Sequence, residues 1–354
     1  MTLSRKCQGV MHMLTKRQMI ILDRLIRLYT STSLPIGSKT LLEESEIDAS
    51  SATIRNELNY LERLGFIQKT HSSSGRIPSI KGYRFYIDHL VRPQEVTPDK
   101  LDVISQMLGN HVEEMDDIMH QSAKLLSELT NYTAIVLGPK ADDTRLTGFR
   151  LVALNDHHVM AIIQTDYGTI ENKVFKLPKS IRESDLIKVA NIFNHHLVGL
   201  PLMEVTRKLQ RDIPLLLRKY ASNAIDMFIN LETIFDESTE ERYHISGKLN
   251  LLDFTENMDR QKLKSLYSLL DNSVGLTHLI EKMNQDFDVR IGDEINNDLF
   301  TEFSLVTTTY NVSKYGKGVI AILGPTSMAY DETFGVLDVF RKQLTHTLLN
   351  YYLD

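Results

Sequence analysis

Hydrophobic residues recur at helical spacing near the start of the chain. In residues 15–32 they fall on one face, formed by Ile21, Leu25 and Leu28. The segment 33–37 contains a proline and a glycine and should end this helix. Residues 38–44 are expected to form a short second helix, so the pattern predicts a helical pair at the start of the fold.

A third helix is predicted for residues 51–64, with an apolar stripe formed by Ile54, Leu58 and Leu61. Ser50 or Ser51 can accept hydrogen bonds from the first backbone N–H groups of this helix, and Gly65 suits the position after its end. The face opposite the stripe is polar. Such a helix buries one side and leaves the other available to a partner.

A two-stranded ribbon is predicted after the third helix. Residues 66–70 have strand character, residues 71–75 form a polar loop that ends in glycine, and Arg76 begins the return strand. One more helix follows. Residues 93–98 are bounded by prolines, which resist both helix and central strand, and therefore predict a linker. The first domain is thus expected to comprise residues 1–92.

Beyond the linker, strands and helices occur in blocks. Strand-like runs cover residues 133–137, 148–154, 159–166, 169–176, 303–310 and 319–323, and helical patterns cover residues 99–131, 180–237, 261–284 and 331 to the end. This order predicts the α+β fold class. The sheet of one domain, residues 99–150 and 286–354, is expected to be interrupted by a mostly helical insert, residues 151–285.

The helical stretch 99–131 has two interpretations. Apolar residues at multiples of seven could join two subunits, but a helix packed on the sheet of its own domain has the same pattern. The repeat is short and is interrupted by His111 and Ser122. The sequence therefore favours packing within the domain.

Charge is distributed unevenly along the chain. The 354 residues carry a net charge of −6, yet residues 1–92 hold 14 Lys and Arg against 8 Asp and Glu, a net charge of +6. The other residues hold 26 Lys and Arg against 38 Asp and Glu, a net charge of −12. A basic domain joined to an acidic body is typical of a protein whose first domain binds a polyanion.

Several classes of protein are disfavoured by the sequence. The single cysteine, Cys7, excludes a disulfide framework and a zinc site made of cysteines alone, which fits a reduced cytoplasm. No apolar stretch has the length of a transmembrane helix. Residues 1–12 lack the apolar region of a secretory signal and are interpreted as a loose extension, since Met11 or Met13 could also be the natural start.

The first domain has the element order of a winged helix-turn-helix, in which the third helix enters the major groove of double-stranded DNA. Arginine can pair with guanine and asparagine with adenine through two hydrogen bonds each, while hydroxyl groups suit phosphates. The candidate contacts on the polar face of this helix are Ser51, Thr53, Arg55, Asn56 and Asn59.

The ribbon supplies a second set of candidate DNA contacts. Gly75 is expected to permit a sharp turn, and Arg76 is expected to lie at the loop tip and reach into a minor groove. Further cations of this domain are expected to neutralise phosphates: Lys39, Lys69, Lys81 and Arg84.

Short motifs along the chain carry a family resemblance. They are LTKRQ at 14–18, SATIRNEL at 51–58, SSGRIPS at 73–79, KGYRFYID at 81–88, IGDE at 291–294 and GPTSMAY at 324–330. Together they resemble the family of the heat-inducible transcription repressor HrcA. Ser327 and Ala329 stand where that family usually has charged residues, and Ile295 stands where asparagine is common.

The resemblance implies a specific architecture and mode of action. It implies a winged helix, a GAF-like domain and a dimerisation domain inserted into the GAF-like sheet. It also implies a homodimer on an inverted-repeat operator of the CIRCE type upstream of chaperone genes. In this family the chaperonin is expected to maintain the repressing form, so that unfolded protein relieves repression by occupying the chaperonin.

Two other functions compete with that of a heat-shock repressor. GAF-like folds often hold small ligands, so a winged-helix regulator that responds to a small molecule is the alternative, although no ligand pocket is marked in the sequence. An enzyme is disfavoured because no catalytic or cofactor-binding motif is present. The adjacent pairs His157-His158 and His195-His196 diverge on a strand or helix, so no metal site is expected.

Overall fold

The chain forms two compact units. The computed structural model describes residues 14–44, 47, 49–70, 75–109, 114–140, 144–166, 170–176, 181–220, 243–255, 258–271, 280 and 287–353. The first unit comprises residues 1–136, 244–310 and 319–354, and the second comprises residues 137–243 and 311–318. The expected extension at residues 1–12 lies outside the described residues. None of the described helices is both long and apolar enough to cross a membrane.

The first unit begins with the predicted winged helix, which is confirmed. Its elements are α1 (Lys16–Thr32), α2 (Ser38–Glu43), α3 (Ser51–Arg63), β1 (Ile67–Lys69), β2 (Arg76–Pro78) and α4 (Ile80–Phe85), which continues as a π-helical turn, Tyr86–Leu90. The two strands are antiparallel and pair Gln68 with Ile77.

Local hydrogen bonds fix where α1 begins. The Thr15 hydroxyl accepts from the Gln18 backbone N–H at 3.3 Å, and the Gln18 side chain accepts from the Thr15 backbone N–H at 2.8 Å. This reciprocal cap satisfies two donors that a helix start leaves unpaired. The helix ends at Ser33, whose φ of 55° is left-handed. Its fully buried face is formed by Ile21, Leu22, Leu25 and Ile26, whereas Leu28 is only half-buried.

The remainder of the first unit is a five-stranded sheet with helices. The strands are β3 (Thr133–Lys140), β7 (Tyr243–Ser246), β8 (Phe287–Ile291), β9 (Phe303–Asn311) and β10 (Lys317–Pro325), in the spatial order β7-β3-β10-β9-β8. The helices are α5 (Pro98–Gly109), α6 (Met115–Thr130), α10 (Arg260–Leu270) and α11 (Tyr330–Leu353). The mixed helix and sheet content confirms the predicted α+β class.

The predicted helix 99–131 is described as two helices, α5 and α6, and residues 110–113 between them lie outside the described residues. Ile104 and Leu108 of α5 and Ile118 and Leu125 of α6 are all buried within the chain itself. The Thr347 hydroxyl of α11 donates to the Leu108 carbonyl at 2.8 Å. The apolar stripe therefore packs inside its own unit, as the broken repeat indicated.

The second unit has its own three-stranded antiparallel sheet, in the order β4-β5-β6. Its elements are β4 (Leu146–Asn155), β5 (His158–Thr165), β6 (Ile170–Lys176), α7 (Glu183–Leu197), α8 (Leu202–Arg211) and α9 (Ile213–Tyr220). One sheet face packs on the helices, and Phe149 stacks on Phe193 with ring centroids 4.6 Å apart. The other face has no covering element among the described residues.

The unit boundaries differ from the predicted domain edges. Strand β4 begins at Leu146 and pairs with β5 along its length, so it belongs to the insert rather than to the domain 99–150. Strand β7 joins the five-stranded sheet, so the chain leaves the insert at residue 243, well before the predicted edge at 285. Hydrophobic alternation marks a strand but does not specify which sheet it joins, and that choice sets the boundaries.

We expect Gly82→Ala to destabilise the winged helix. A Cβ at Gly82 would lie 2.1 Å from the Phe66 carbonyl oxygen, so the backbone would have to move, at a cost of about 1–3 kcal/mol. Gly109→Ala is the matched control, because a Cβ there meets nothing within 4 Å. Chemical denaturation measures both variants. Equal free energies of unfolding would contradict this close packing.

Candidate nucleic-acid interface

The two sides of helix α3 differ in burial. Ile54, Leu58 and Leu61 are buried, which places the opposite side of the helix at the surface. The Ser50 hydroxyl caps the helix by accepting from the Thr53 backbone N–H at 3.1 Å. The exposed residues of α3 are Ser51, Ala52, Arg55, Asn56, Asn59, Tyr60 and Arg63. The helix is thus held on one side and free to enter a groove on the other.

The predicted base-contacting residues are not equally available. Arg55 and Asn56 are exposed and form no side-chain hydrogen bond or ion pair with the residues that the structure describes. Thr53 is half-buried, and its hydroxyl lies 2.9 Å from the Ser50 hydroxyl, so it belongs to the cap. Ser51 is exposed, with its hydroxyl 3.5 Å from that of Ser38.

The expected position of Arg76 at a loop tip is wrong. Arg76 begins strand β2, and its side chain is only 8% exposed. Its Nε and Nη2 atoms lie 2.8 Å from Oε2 of Glu62, and Nη2 also donates to Oδ1 of Asn59 at 3.0 Å. The guanidinium thus joins the ribbon to helix α3. This contact also occupies the acceptor oxygen of the Asn59 side chain.

Close packing requires a glycine at position 75. The sharp turn predicted here stays a prediction, and the φ of Gly75 itself is not left-handed. A Cβ at Gly75 would lie 2.7 Å from Cβ and 2.8 Å from the carbonyl carbon of Pro35. Glycine is needed because the ribbon passes against the segment before α2. The loop tip itself, residues 71–74, lies outside the described residues.

The cations predicted to bind phosphates have different surroundings. Lys39 is 87% exposed and pairs with Glu43 at 3.6 Å, and Lys69 is 58% exposed and lies 3.8 Å from Glu62. Lys81 instead donates to the Leu64 carbonyl at 2.7 Å, where it satisfies the end of α3. Lys81 is exposed as well, but its ammonium is held at this carbonyl, whereas Lys39 and Lys69 pair with carboxylates.

Arg84 points away from the expected DNA face. Its Nε and Nη2 atoms donate to the two carboxylate oxygens of Glu294 at 3.1 Å and 2.5 Å, and Nη2 also donates to the Val289 carbonyl at 2.7 Å. Burial acts to lower the pKa of Arg84, but the Glu294 and Asp88 carboxylates together outweigh it and the pKa is raised. A cation held in this way is not available to a phosphate.

Two residues of the exposed face were missed by the sequence reasoning. Tyr60 follows Asn56 by four positions and Arg63 follows Asn59 by four, so each lies on the same helical surface. The Arg63 guanidinium carbon lies 5.4 Å from the centre of the Tyr60 ring. Extending the polar face by one helical turn would have found both.

The histidine pairs show no metal-site geometry. His158 accompanies Asn155 at a hairpin, with its Nδ1 3.0 Å from the asparagine oxygen. The rings of His195 and His196 lie 4.9 Å apart near the end of α7. Among the residues that the structure describes, no group of three His, Cys, Asp or Glu side chains is arranged to hold a metal ion.

Comparison with known proteins gives consistent matches. Residues 13–89 match the family "Winged helix-turn-helix transcription repressor, HrcA DNA-binding", and residues 116–334 match "HrcA protein C terminal domain". The chain is 47% identical over 343 residues to "Heat-inducible transcription repressor HrcA" of Enterococcus faecalis, covering 96% of this chain and 99% of that one. The repressor of the same name from Ligilactobacillus salivarius is 46% identical over 347 residues, with 96% and 99% covered.

One solved structure shares the fold of the chain. It is described as the crystal structure of a hypothetical protein at 2.2 Å resolution. The TM-score is 0.60 at 23% sequence identity, and the alignment covers 96% of this chain and 99% of that one. The likeness supports the architecture described above.

We expect Arg76→Ala to destabilise the protein, because the ribbon then loses the buried guanidinium that binds Glu62 and Asn59 of α3. Removing one member of a largely buried ion pair costs about 3–5 kcal/mol, and the partial exposure of Glu62 lowers this to about 2 kcal/mol. Lys69→Ala is the matched control, because Lys69 lies on the same carboxylate but is mostly exposed. Urea denaturation compares them. An unchanged unfolding midpoint for Arg76→Ala would refute the structural role.

Proposed function

Because this chain belongs to the HrcA family of heat-inducible transcription repressors, we propose that it binds an inverted-repeat operator of the CIRCE type as a homodimer, and that the chaperonin maintains its repressing form. The family assignment makes the protein a DNA-binding transcription repressor of heat-shock genes and not an enzyme. What we propose beyond the family assignment is that the protein is a dimer, that its operator is an inverted repeat, and that the chaperonin maintains repression.

The exposed polar face of α3 carries the proposed contact with DNA. Arg55 is exposed and has no side-chain partner among the residues that the structure describes, so its guanidinium can donate two hydrogen bonds to guanine O6 and N7. Asn56 is exposed too, and no described residue forms a hydrogen bond with its side-chain nitrogen or oxygen, so both can pair with adenine. Asn59 is a weaker reader, because Arg76 already occupies its oxygen. Ser51 and Lys39 are assigned to phosphates, and Arg63 extends the cationic surface by one turn.

The sheet of the second unit offers a surface for the partner subunit. Val159, Ala161 and Ile163 of β5 are buried against the helices, so the alternate residues of the strand face outward. Along one row of this outward face, Val152, Met160 and Val174 lie side by side across three strands. Val152 is 39% exposed and Val174 is 49% exposed.

A second copy of this chain is the proposed occupant of that face. Contiguous exposed apolar side chains on a sheet are a mark of an interaction surface. An isologous pairing of two such faces has the two-fold axis that an inverted-repeat operator requires. The winged helix, in contrast, has its apolar stripes already buried within its own chain. In this proposal the first domain binds DNA and the insert forms the dimer.

The chaperonin is proposed on the strength of the family membership. Footprinting of the DNA upstream of the chain's own gene, with and without the chaperonin, tests it directly. Stronger protection of an inverted repeat in the presence of chaperonin is expected. Equal protection in both conditions would refute the role of the chaperonin, but not operator binding by the repressor.

We expect Arg55→Ala to weaken operator binding by about 1–3 kcal/mol while binding to random DNA stays nearly unchanged, since a two-hydrogen-bond contact with a base carries discrimination. The matched control is Arg24→Ala, which removes an exposed arginine from the outer surface of α1. Fluorescence anisotropy on operator and scrambled duplexes measures both. Equal losses on the two duplexes would make Arg55 a phosphate contact.

We expect Val174→Asp to convert the dimer into a monomer, because an uncompensated carboxylate would be buried in the paired sheet faces. Ile187→Asp on α7 is the matched control, since Ile187 is 57% exposed on a different surface of the same unit. Sedimentation velocity gives the state of each protein. A Val174→Asp variant that stays dimeric would place the interface elsewhere.

A further inference from the structure

Two arginines of the winged helix reach into the C-terminal part of the first unit. Arg84 of α4 binds both carboxylate oxygens of Glu294 and the carbonyl of Val289 at the end of the five-stranded sheet. Arg27 of α1 binds Asp331, in the first turn of α11. A guanidinium that engages a carboxylate through two nitrogens fixes an orientation as well as a distance. The winged helix is thus held at two separated points.

Packing between the same surfaces is close. The rings of Tyr83 and Tyr330 lie 6.1 Å apart, and both side chains are buried. Gly292 has a left-handed φ of 54°, and a Cβ there would lie 3.2 Å from Cδ1 of Ile80 and 2.9 Å from the Thr301 carbonyl oxygen. The contact therefore combines apolar packing with ion pairs, and we call it the head–core seam.

The predicted linker is part of the seam. The backbone N–H of Gln94 donates to the Asp331 carbonyl at 2.9 Å. A Cβ at Gly335 would lie only 2.0 Å from the Gln94 carbonyl oxygen, so glycine is needed for the chain to pass this close to α11. Residues 93–98 accordingly do not act as a loose tether at this point, because a backbone hydrogen bond fastens them to the core.

The seam leaves the reading surface uncovered. It uses α1, α4 and the linker, whereas Arg55, Asn56 and Arg63 of α3 remain exposed. Contact between the winged helix and the core therefore leaves α3 accessible to DNA. Its effect is to fix the orientation of the winged helix relative to the core. Held by the seam, the reading helix points in one direction from the core.

We propose that the head–core seam is a positioning device that gives bivalent operator binding its strength by presenting the two reading helices in one fixed geometry. The inference rests on the proposed homodimer. When one head is bound, the second half-site meets the other head at an effective concentration set by how freely that head moves. A winged helix that moves freely on a loose linker is correctly oriented for the second half-site for a smaller fraction of the time. The affinity for the complete operator therefore falls, although the affinity of each winged helix for one half-site is unchanged.

The test neutralises the acids of the seam in the full chain, as Glu294→Gln with Asp331→Asn. The matched control, Asp293→Asn with Glu332→Gln, removes the same charge from neighbouring exposed positions whose side chains have no ion pair in the described part of the chain. Two duplexes are used, the complete inverted repeat and a single half-site. Limited proteolysis within residues 91–97 reports independently whether the linker has been released.

The seam variant is expected to bind the complete repeat at least about tenfold more weakly, with half-site affinity within about twofold of the control. Cleavage of the linker should be faster than in the control. Equal cleavage rates and an equal preference for the complete repeat would overturn the seam as a positioning device. If the unmodified protein itself shows no preference for the complete repeat, the proposed binding as a homodimer is wrong. The cleavage rates alone then decide whether the seam holds the winged helix against the core.

Discussion

Burial of the apolar stripe of α3 is the constraint on which the rest of the winged helix depends. Ile54, Leu58 and Leu61 are nearly free of solvent, and burying such side chains contributes about 1.5–3 kcal/mol each. Their burial against the domain core fixes the rotation of the helix about its axis. The polar face that carries Arg55 and Asn56 is exposed as a result. The side of α3 that the core buries therefore determines which residues are exposed for the proposed contact with DNA.

The cations of the first domain serve two purposes that composition does not separate. Arg76 joins the ribbon to α3, Lys81 satisfies the end of α3, and Arg27 and Arg84 reach the core. All four contribute to the net charge of +6 but are held by protein acceptors. The proposed DNA-binding surface is thus less cationic than a residue count indicates.

The two C-terminal motifs owe their position to the winged helix as much as to the sheet. Glu294 of IGDE receives Arg84, and Tyr330 of GPTSMAY packs on Tyr83. Nothing in the structure explains Ser327 and Ala329 in place of charged residues; the backbone N–H of Ala329 donates to the Tyr132 hydroxyl at 3.1 Å. Ile295 is buried, where an apolar residue is favourable.

The sequence by itself determined the elements, because helical and strand periodicity, capping residues and prolines act over a few neighbours. It predicted the three helices, the ribbon, the α+β class and the exposed face of α3 to within one helical turn. Arg76 and Arg84 were misplaced because their partners, Glu62 and Glu294, are 14 and 210 positions away, and no local pattern reports such a pair. The same limit applied to β7, which pairs with β3 from a distant part of the sequence. Strand β4, in contrast, pairs with its neighbour β5 in a hairpin, and the predicted domain edge at residue 150 divided this strand. Only the tertiary structure decided which cations stay exposed and which hold the protein together, since that choice depends on what the folded chain places opposite each one.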